Sequence, residues 1–150
     1  MPSLYIQSIR PADATDLGMI RQLLTDSRLP TDDLLSSPID FLISTDEDEN
    51  LIGCIGVELY GADGFLRSFA VKETWRKHGI GKNLLNQLNE YALIKGVTKL
   101  HLLTTTAQSF FEQNGFIRSD RTDAPMSIQN TTEFKGMCCS TAAYMVQSIV

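Results

Sequence analysis

The stretch Arg76-Lys77-His78-Gly79-Ile80-Gly81 combines closely spaced glycines with a cluster of cations, just where a helical repeat begins. Glycines there let the backbone approach a ligand and take positive φ without steric cost. The first-turn N–H groups of a helix lack intrahelical acceptors and lie at its positive dipole end, so the stretch predicts a socket for a phosphate. Residues 67–82 carry Arg67, Lys72, Arg76, Lys77 and Lys82 against the single acid Glu73, although the chain as a whole has a net charge of −5. One basic island on an acidic protein points to a small anionic ligand and argues against nucleic acid as a partner.

Two familiar phosphate patterns fail here. A Walker loop would need its first glycine at Arg76, and Asn83 stands where Ser or Thr must hold magnesium. A dinucleotide fingerprint would need its first glycines directly after a parallel strand and an acid about twenty residues on. An ordinary strand–helix corner tightened by two glycines stays open as a reading of the loop alone. Cys54, Cys138 and Cys139 are odd in number and lack metal-ligand spacing, which predicts no metal and a reducing cytoplasm. No secretory leader is expected from the start Met1-Pro2-Ser3-Leu4-Tyr5, and no apolar run approaches the roughly 18 residues of a membrane span. The four acids of Asp46-Glu47-Asp48-Glu49 before Asn50 read as a solvated hairpin tip.

The elements that must position the loop follow from periodicity. Tyr5–Arg10 alternates as a first strand, and a helix is expected from Pro11 to about Asp26, burying Leu17, Ile20, Leu23 and Leu24. Phe41–Ile43 is a short strand, and Leu51–Leu59 pairs through a Gly/Asp turn with Phe65–Val71. A helix with Ile80, Leu84, Leu88 and Tyr91/Ala92 on one face follows, capped by Gly96. Lys99–Leu103, a short helix Ala107–Asn114, extended Phe116–Arg118 and a closing strand Ala142–Val150 complete the order. Residues 119–141 show no clear period beyond a helical turn at Pro125–Gln129. With 43% apolar residues over 150 positions, a single α/β domain spanning 1–150 with a mixed sheet is expected.

Arg76-x-x-Gly79-x-Gly81 after a strand ending Phe69-Ala70-Val71 resembles the coenzyme A loop of the GNAT superfamily of acetyltransferases. The opening Ile9-Arg10-Pro11-Ala12 and the later Ala107, Phe110-Phe111 and Asn114-Gly115-Phe116 resemble that family's flanking motifs in the same order. Finer details, Leu66-Arg67-Ser68, Leu103-Thr104-Thr105-Thr106-Ala107 and Thr132-Glu133-Phe134 ahead of Cys138, resemble the small branch associated with bacterial arsenic resistance, itself similar to amino-acid N-acetyltransferases. In that branch a proline commonly follows the cysteine where this chain has Cys139.

The resemblance implies a mixed, mainly antiparallel twisted sheet flanked by helices, with splayed central strands, and transfer of an acetyl group from acetyl-CoA to a small amine by direct attack on the thioester. It assigns the pyrophosphate to Arg76, Lys77, His78, Gly79, Ile80, Gly81 and Lys82, the pantetheine arm to Phe69, Ala70 and Val71, and further coenzyme contacts to Phe110 and Phe111. A strand N–H near Phe69 is expected to meet the charge that develops on the carbonyl oxygen. Glu58, an acid in an apolar strand, is the candidate proton acceptor, with a solvent-facing role as the alternative. Arg67, two residues before Phe69 and so expected on the same face, is the candidate clamp for a substrate carboxylate, with Arg121 second. Phe111 lacks the hydroxyl of the tyrosine that often protonates the leaving thiolate. A non-catalytic acyl-CoA-binding module, or an enzyme acetylating proteins or peptides, is the alternative; no membrane partner is expected, and the assembly is expected to be a monomer or homodimer.

Overall fold

A computed structural model describes residues 8–137 and 141–150. The expected strand residues Tyr5–Gln7, and Cys138 and Cys139, lie outside the described residues. The elements run β1 (Ser8–Pro11), α1 (Leu17–Asp26), β2 (Ile39–Thr45), β3 (Leu51–Tyr60), β4 (Asp63–Val71), α2 (Ile80–Ile94), β5 (Lys99–Thr104), α3 (Gln108–Gln113), β6 (Ile117–Ser119), α4 (Met126–Gln129) and β7 (Ala143–Ser148). They form a sheet of order β1-β2-β3-β4-β5-β7-β6 in which β4 and β5 alone are parallel. The expected mixed, mainly antiparallel sheet flanked by helices is present. None of the described helices is long and apolar enough to cross a membrane.

The helix expected from Pro11 begins later. Pro11 pairs with Leu42 in the sheet, and the Asp13 and Asp16 carboxylates cap a short 3-10 turn over Ala14–Asp16 before α1 starts. Asp16 also takes both guanidinium amines of Arg10 at 2.9 Å. Here the capping chemistry of Asp13, rather than the proline, sets the helix start.

The two sheet faces are buried differently. On one, α2 lays Ile80, Leu84, Leu85, Leu88 and Ala92 against Val57, Leu66, Leu100, Leu102 and Met145. On the other, α1 covers Phe41, Ile43 and Cys54, while the 120–137 segment covers Phe65, Tyr144 and Val146 through Ala124, Ile128 and Phe134. This second face holds most of the buried polar side chains that concern function.

One polar chain on that face is structural. His101 is fully buried, with Nε2 2.8 Å from Asp63 Oδ1 and Nδ1 2.7 Å from the Tyr144 hydroxyl. Burial lowers the His101 pKa against the opposing pull of Asp63, which favours the neutral ring. A carboxylate only accepts, so Nε2–H donates to Asp63 and Nδ1 accepts from Tyr144. Tyr144→Phe is expected to lower unfolding free energy by about 1–3 kcal/mol, the cost of a buried acceptor losing its donor. Urea denaturation checks this; a change under about 0.5 kcal/mol would show the hydroxyl to be dispensable.

Candidate active site between the parted strands

β4 and β5 pair only from Asp63–Lys99 to Phe65–His101. Beyond those residues the two strands run on without pairing, and a cavity of about 600 Å³ opens between Leu66–Val71 and Leu102–Ala107. The rest of its wall comes from Trp75, the Arg76–Lys82 turn, the phenyl rings of Phe110 and Phe111, Glu133 and the segment after α1. The expected coenzyme residues Phe69, Ala70, Val71, Arg76, Lys77, Gly79, Ile80, Gly81, Lys82, Phe110 and Phe111 all line it. His78 does not; it is exposed, with its ring edge-on to Trp75.

The turn is built as an anion socket. Lys77 and Gly79 both take left-handed backbone, φ 69° and 78°, which reverses the chain sharply into α2. The first helical bond runs from Asn83 N–H to the Gly79 carbonyl. The N–H groups ahead of it therefore have no intrahelical acceptor, and no side chain caps this end. A Cβ on Gly79 would meet nothing within 4 Å, and one on Gly81 would lie 3.6–3.8 Å from Phe69, Val71 and Phe110 at the cavity wall. Open backbone donors, flanking lysines and a narrow apolar trough suit a phosphorylated ligand with an extended tail.

At the other end of the cavity, β4 breaks its alternation. Cys54 pairs with Ala70 but Gly56 with Arg67, so Ile55 alone faces both Ser68 and Phe69. Ser68 takes φ 54°, and its carbonyl accepts the Cys54 thiol at 3.4 Å. This bulge inverts the strand's facing. Leu66 packs on the α2 side and Ala70 on the α1 side, four residues later. The expectation that Arg67 and Phe69 share a face is therefore wrong. Phe69 packs against Phe110 and Phe111, with ring centroids 5.7 and 5.9 Å away, whereas Arg67 points to the opposite side.

There Arg67 is surrounded by acids. Its Nη1 and Nη2 reach Asp33 at 2.6 and 2.7 Å, Nη1 also reaches Glu58 at 2.9 Å, and Nε donates to Ser68 Oγ at 3.1 Å. Glu133 Oε2 lies 3.2 Å from Nε, but the single Nε hydrogen is directed to Ser68. Burial works against the Arg67 charge, yet Asp33, Glu133 and Glu58 outweigh it and hold the guanidinium protonated. With Nε, Nη1 and Nη2 all donating inside the protein, this arginine is a counter-ion to its own chain and poorly placed to clamp a substrate carboxylate.

Glu58 is 1% exposed, so it does not face solvent. One oxygen accepts from Arg67 and the other from the Tyr60 hydroxyl; it does not line the cavity described here, and its geometry is that of a tether for Arg67. Arg121 is also away from the cavity: Nη2 donates to the Ala142 carbonyl at 2.9 Å and its guanidinium lies 5.8 Å from the centre of the Phe134 ring.

Glu133 does line the cavity; in the sequence it entered only within the likeness of Thr132-Glu133-Phe134, with no role at the site. It opens a π-helical turn, Glu133–Met137. Thr131 anchors that turn, its hydroxyl donating to the Ile128 carbonyl at 2.8 Å and accepting the Phe134 N–H at 3.2 Å. Burial pushes the Glu133 carboxyl up to about 7; Arg67 opposes this, while Asp33 and Glu58 add to it. The one signal in the sequence was an acid directly before an aromatic in a segment otherwise poor in apolar residues.

The Acetyltransferase (GNAT) domain family matches residues 39–118. The chain belongs to the GNAT acetyltransferase family. This GNAT chain is 28% identical over 131 residues to the amino-acid acetyltransferase of Photorhabdus laumondii, a match covering 82% of this chain and 29% of that protein. Among solved structures it resembles the N-acetylglutamate synthase of Neisseria gonorrhoeae complexed with coenzyme A and N-acetyl-glutamate, at TM-score 0.81 and 22% identity, covering 97% of this chain and 35% of that one. It also resembles a GNAT acetyltransferase from Staphylococcus aureus at TM-score 0.79 and 18% identity, over 97% of this chain and 100% of that one. The chain thus spans about a third of the curated amino-acid acetyltransferase it matches, and the structural likenesses speak to the fold.

Proposed function

We propose that residues 1–150 act as a single N-acetyltransferase domain that moves an acetyl group from acetyl-CoA to the primary amine of a small, amino-acid-like substrate. The observation that carries this reading is the cavity between β4 and β5, with an anion socket at one end and a buried carboxylate at the other. Its residues fit the coenzyme. The turn Arg76–Lys82 offers N–H donors and positive charge to a pyrophosphate, and the unpaired edge of β4 at Phe69–Val71 offers backbone partners to an amide-bearing arm. When bound, acetyl-CoA supplies an acyl carbonyl activated as a thioester. The chain would hold the amine for direct attack on that carbonyl carbon, the nitrogen losing a proton and the coenzyme leaving as its thiol, and proximity would provide much of the acceleration.

The acceptor class rests on likeness to the amino-acid acetyltransferase and to the fold of the N-acetylglutamate synthase, and an arsenic- or phosphorus-containing glutamate analogue falls within it. Cytoplasmic residence fits the odd cysteine count.

A second reading, coenzyme binding without turnover, draws on Phe111. Its ring is 5% exposed and packed between Phe69, Phe110 and Phe116, with no hydroxyl to protonate a leaving thiolate. Thiol release from acetyl-CoA across a panel of amino acids and simple amines separates the two. Amine-dependent release is expected. A rise in Tm with coenzyme A but no release with any amine would favour the binding module.

A further inference from the structure

Three carboxylates, Asp33, Glu58 and Glu133, surround one guanidinium, and each residue is at most 5% exposed. An excess of buried negative charge is unfavourable unless a group protonates or another cation arrives. The three acids are not equivalent. Asp33 accepts two bonds from Arg67 and one from the Ser37 hydroxyl. Glu58 accepts from Arg67 and Tyr60. Glu133 Oε2 is buried with no hydrogen-bond donor among the described residues, and of the three only Glu133 lines the cavity.

We infer that the missing cation is the acceptor's own ammonium group, which docks on Glu133 and hands its proton to that carboxylate. The proposal rests on the acetyltransferase reading above and adds to it which end of the substrate is recognised. The transfer is balanced: one proton leaves the ammonium nitrogen for a Glu133 oxygen, both formal charges vanish together, and a neutral amine with a free lone pair is left beside a neutral acid. The groups facing Glu133 support it. Arg67 and Ser68 on β4, Glu58 and Tyr60 on β3, and Asp33 after α1 form the wall, while the nearby Arg121 is turned to Phe134 and the Ala142 carbonyl. The excess of acid repels a substrate carboxylate from the Arg67 end. The acceptor is therefore read by its amine, and any carboxylate it carries lies elsewhere.

Three measurements test this. Glu133→Gln is expected to lower kcat/KM for an alkylammonium acceptor about a hundredfold or more, with the acidic limb of its pH profile lost. Methoxyamine, largely unprotonated at neutral pH, should keep its wild-type rate in the variant to within about threefold, because its nitrogen arrives with a free lone pair and no ammonium proton to hand over before attack. Unchanged rates for both acceptors, or equal loss for both, would overturn the role. Paired amino acids and their amides should serve about equally well, and a more than tenfold loss on amidation would restore a carboxylate clamp. The third readout needs no turnover: carbon-13 NMR of the labelled Glu133 carboxyl, assigned through the glutamine variant. Adding methylammonium chloride in the presence of coenzyme A should lower its titration midpoint, since a nearby cation favours the carboxylate. A midpoint that does not move rejects the docking site. Absence of thiol release by the wild type would instead reject the acetyltransferase reading.

Discussion

Replacing Gly81 with aspartate is expected to weaken coenzyme A binding by about a hundredfold or more while leaving the fold intact. The two effects separate because they have opposite signs at this position. Gly81 lies in the first turn of α2, where a carboxylate complements the positive end of the helix and stabilises it by a few tenths of a kcal/mol or more. Its Cβ would find ordinary van der Waals distances to Phe69, Val71 and Phe110, and Gly81 does not need left-handed backbone as Gly79 does. The same carboxylate would project at the mouth of the socket, competing for the open N–H groups and repelling a pyrophosphate. Loss of one or two charge-assisted hydrogen bonds is worth about 3 kcal/mol, a factor of about a hundred. Calorimetric titration with coenzyme A, alongside the melting temperature, checks both halves. Undiminished affinity would show that the phosphates lie away from the turn.

Arg67→Met is expected to destabilise the protein by about 3–5 kcal/mol near pH 8, the range for stripping one partner from a buried ion cluster. Asp33, Glu58 and Glu133, each at most 5% exposed, would be left facing one another without a counter-ion. The effect should shrink as pH falls. Burial raises the Asp33 pKa, but hydrogen bonds from Arg67 and Ser37 outweigh it and hold the carboxyl below its ordinary value. The stability that Asp33 contributes is thus present above its unfolded pKa and lost as pH falls through the depressed folded value. Glu133 runs the other way. Its folded pKa of about 7 lies above the unfolded value, so the folded chain binds the extra proton and stability declines as pH rises toward 7. Removing the cation deprives Asp33 of its gain and deepens the Glu133 penalty, and both act at neutral and alkaline pH. Urea denaturation of both proteins at pH 5 and pH 8 measures the difference. A deficit independent of pH would mean that Arg67 contributes packing rather than charge.

What could be read in advance, and what could not, divides along range of interaction. The Gly79–Gly81 turn and the Ile80, Leu84, Leu88, Ala92 stripe are local patterns, and both stand where periodicity and turn chemistry put them. The hairpin joining β3 and β4 is local too, with Gly61 in left-handed backbone at its turn. The acidic cluster is not local. Asp33 and Arg67 are 34 positions apart, Asp33 sits in an irregular segment, and Glu133 lies in a turn with no hydrophobic period to reveal it. The bulge was hidden for another reason. Left-handed backbone at Ser68 is uncommon for a residue other than glycine, and nothing in Leu66-Arg67-Ser68-Phe69 signals that the two-residue alternation stops there. That single irregularity put Arg67 on the opposite face of the strand from Phe69, among Asp33, Glu58 and Glu133.

The brief pairing of β4 with β5 also bears on how the molecule is held together. Among the described residues, three residue pairs, Asp63–Lys99, Gly64–Leu100 and Phe65–His101, make up the strand ladder joining β1–β4 to β5–β7. A ligand lying between the parted strands would act as a removable rung, supplying backbone partners that the chain leaves unmade. Such a ligand stabilises the folded state by about 2.7 kcal/mol at a hundred times its dissociation constant. Tolerance to heat and proteolysis would then rise with the supply of acyl-coenzyme A, making persistence of the catalyst depend on the presence of its fuel.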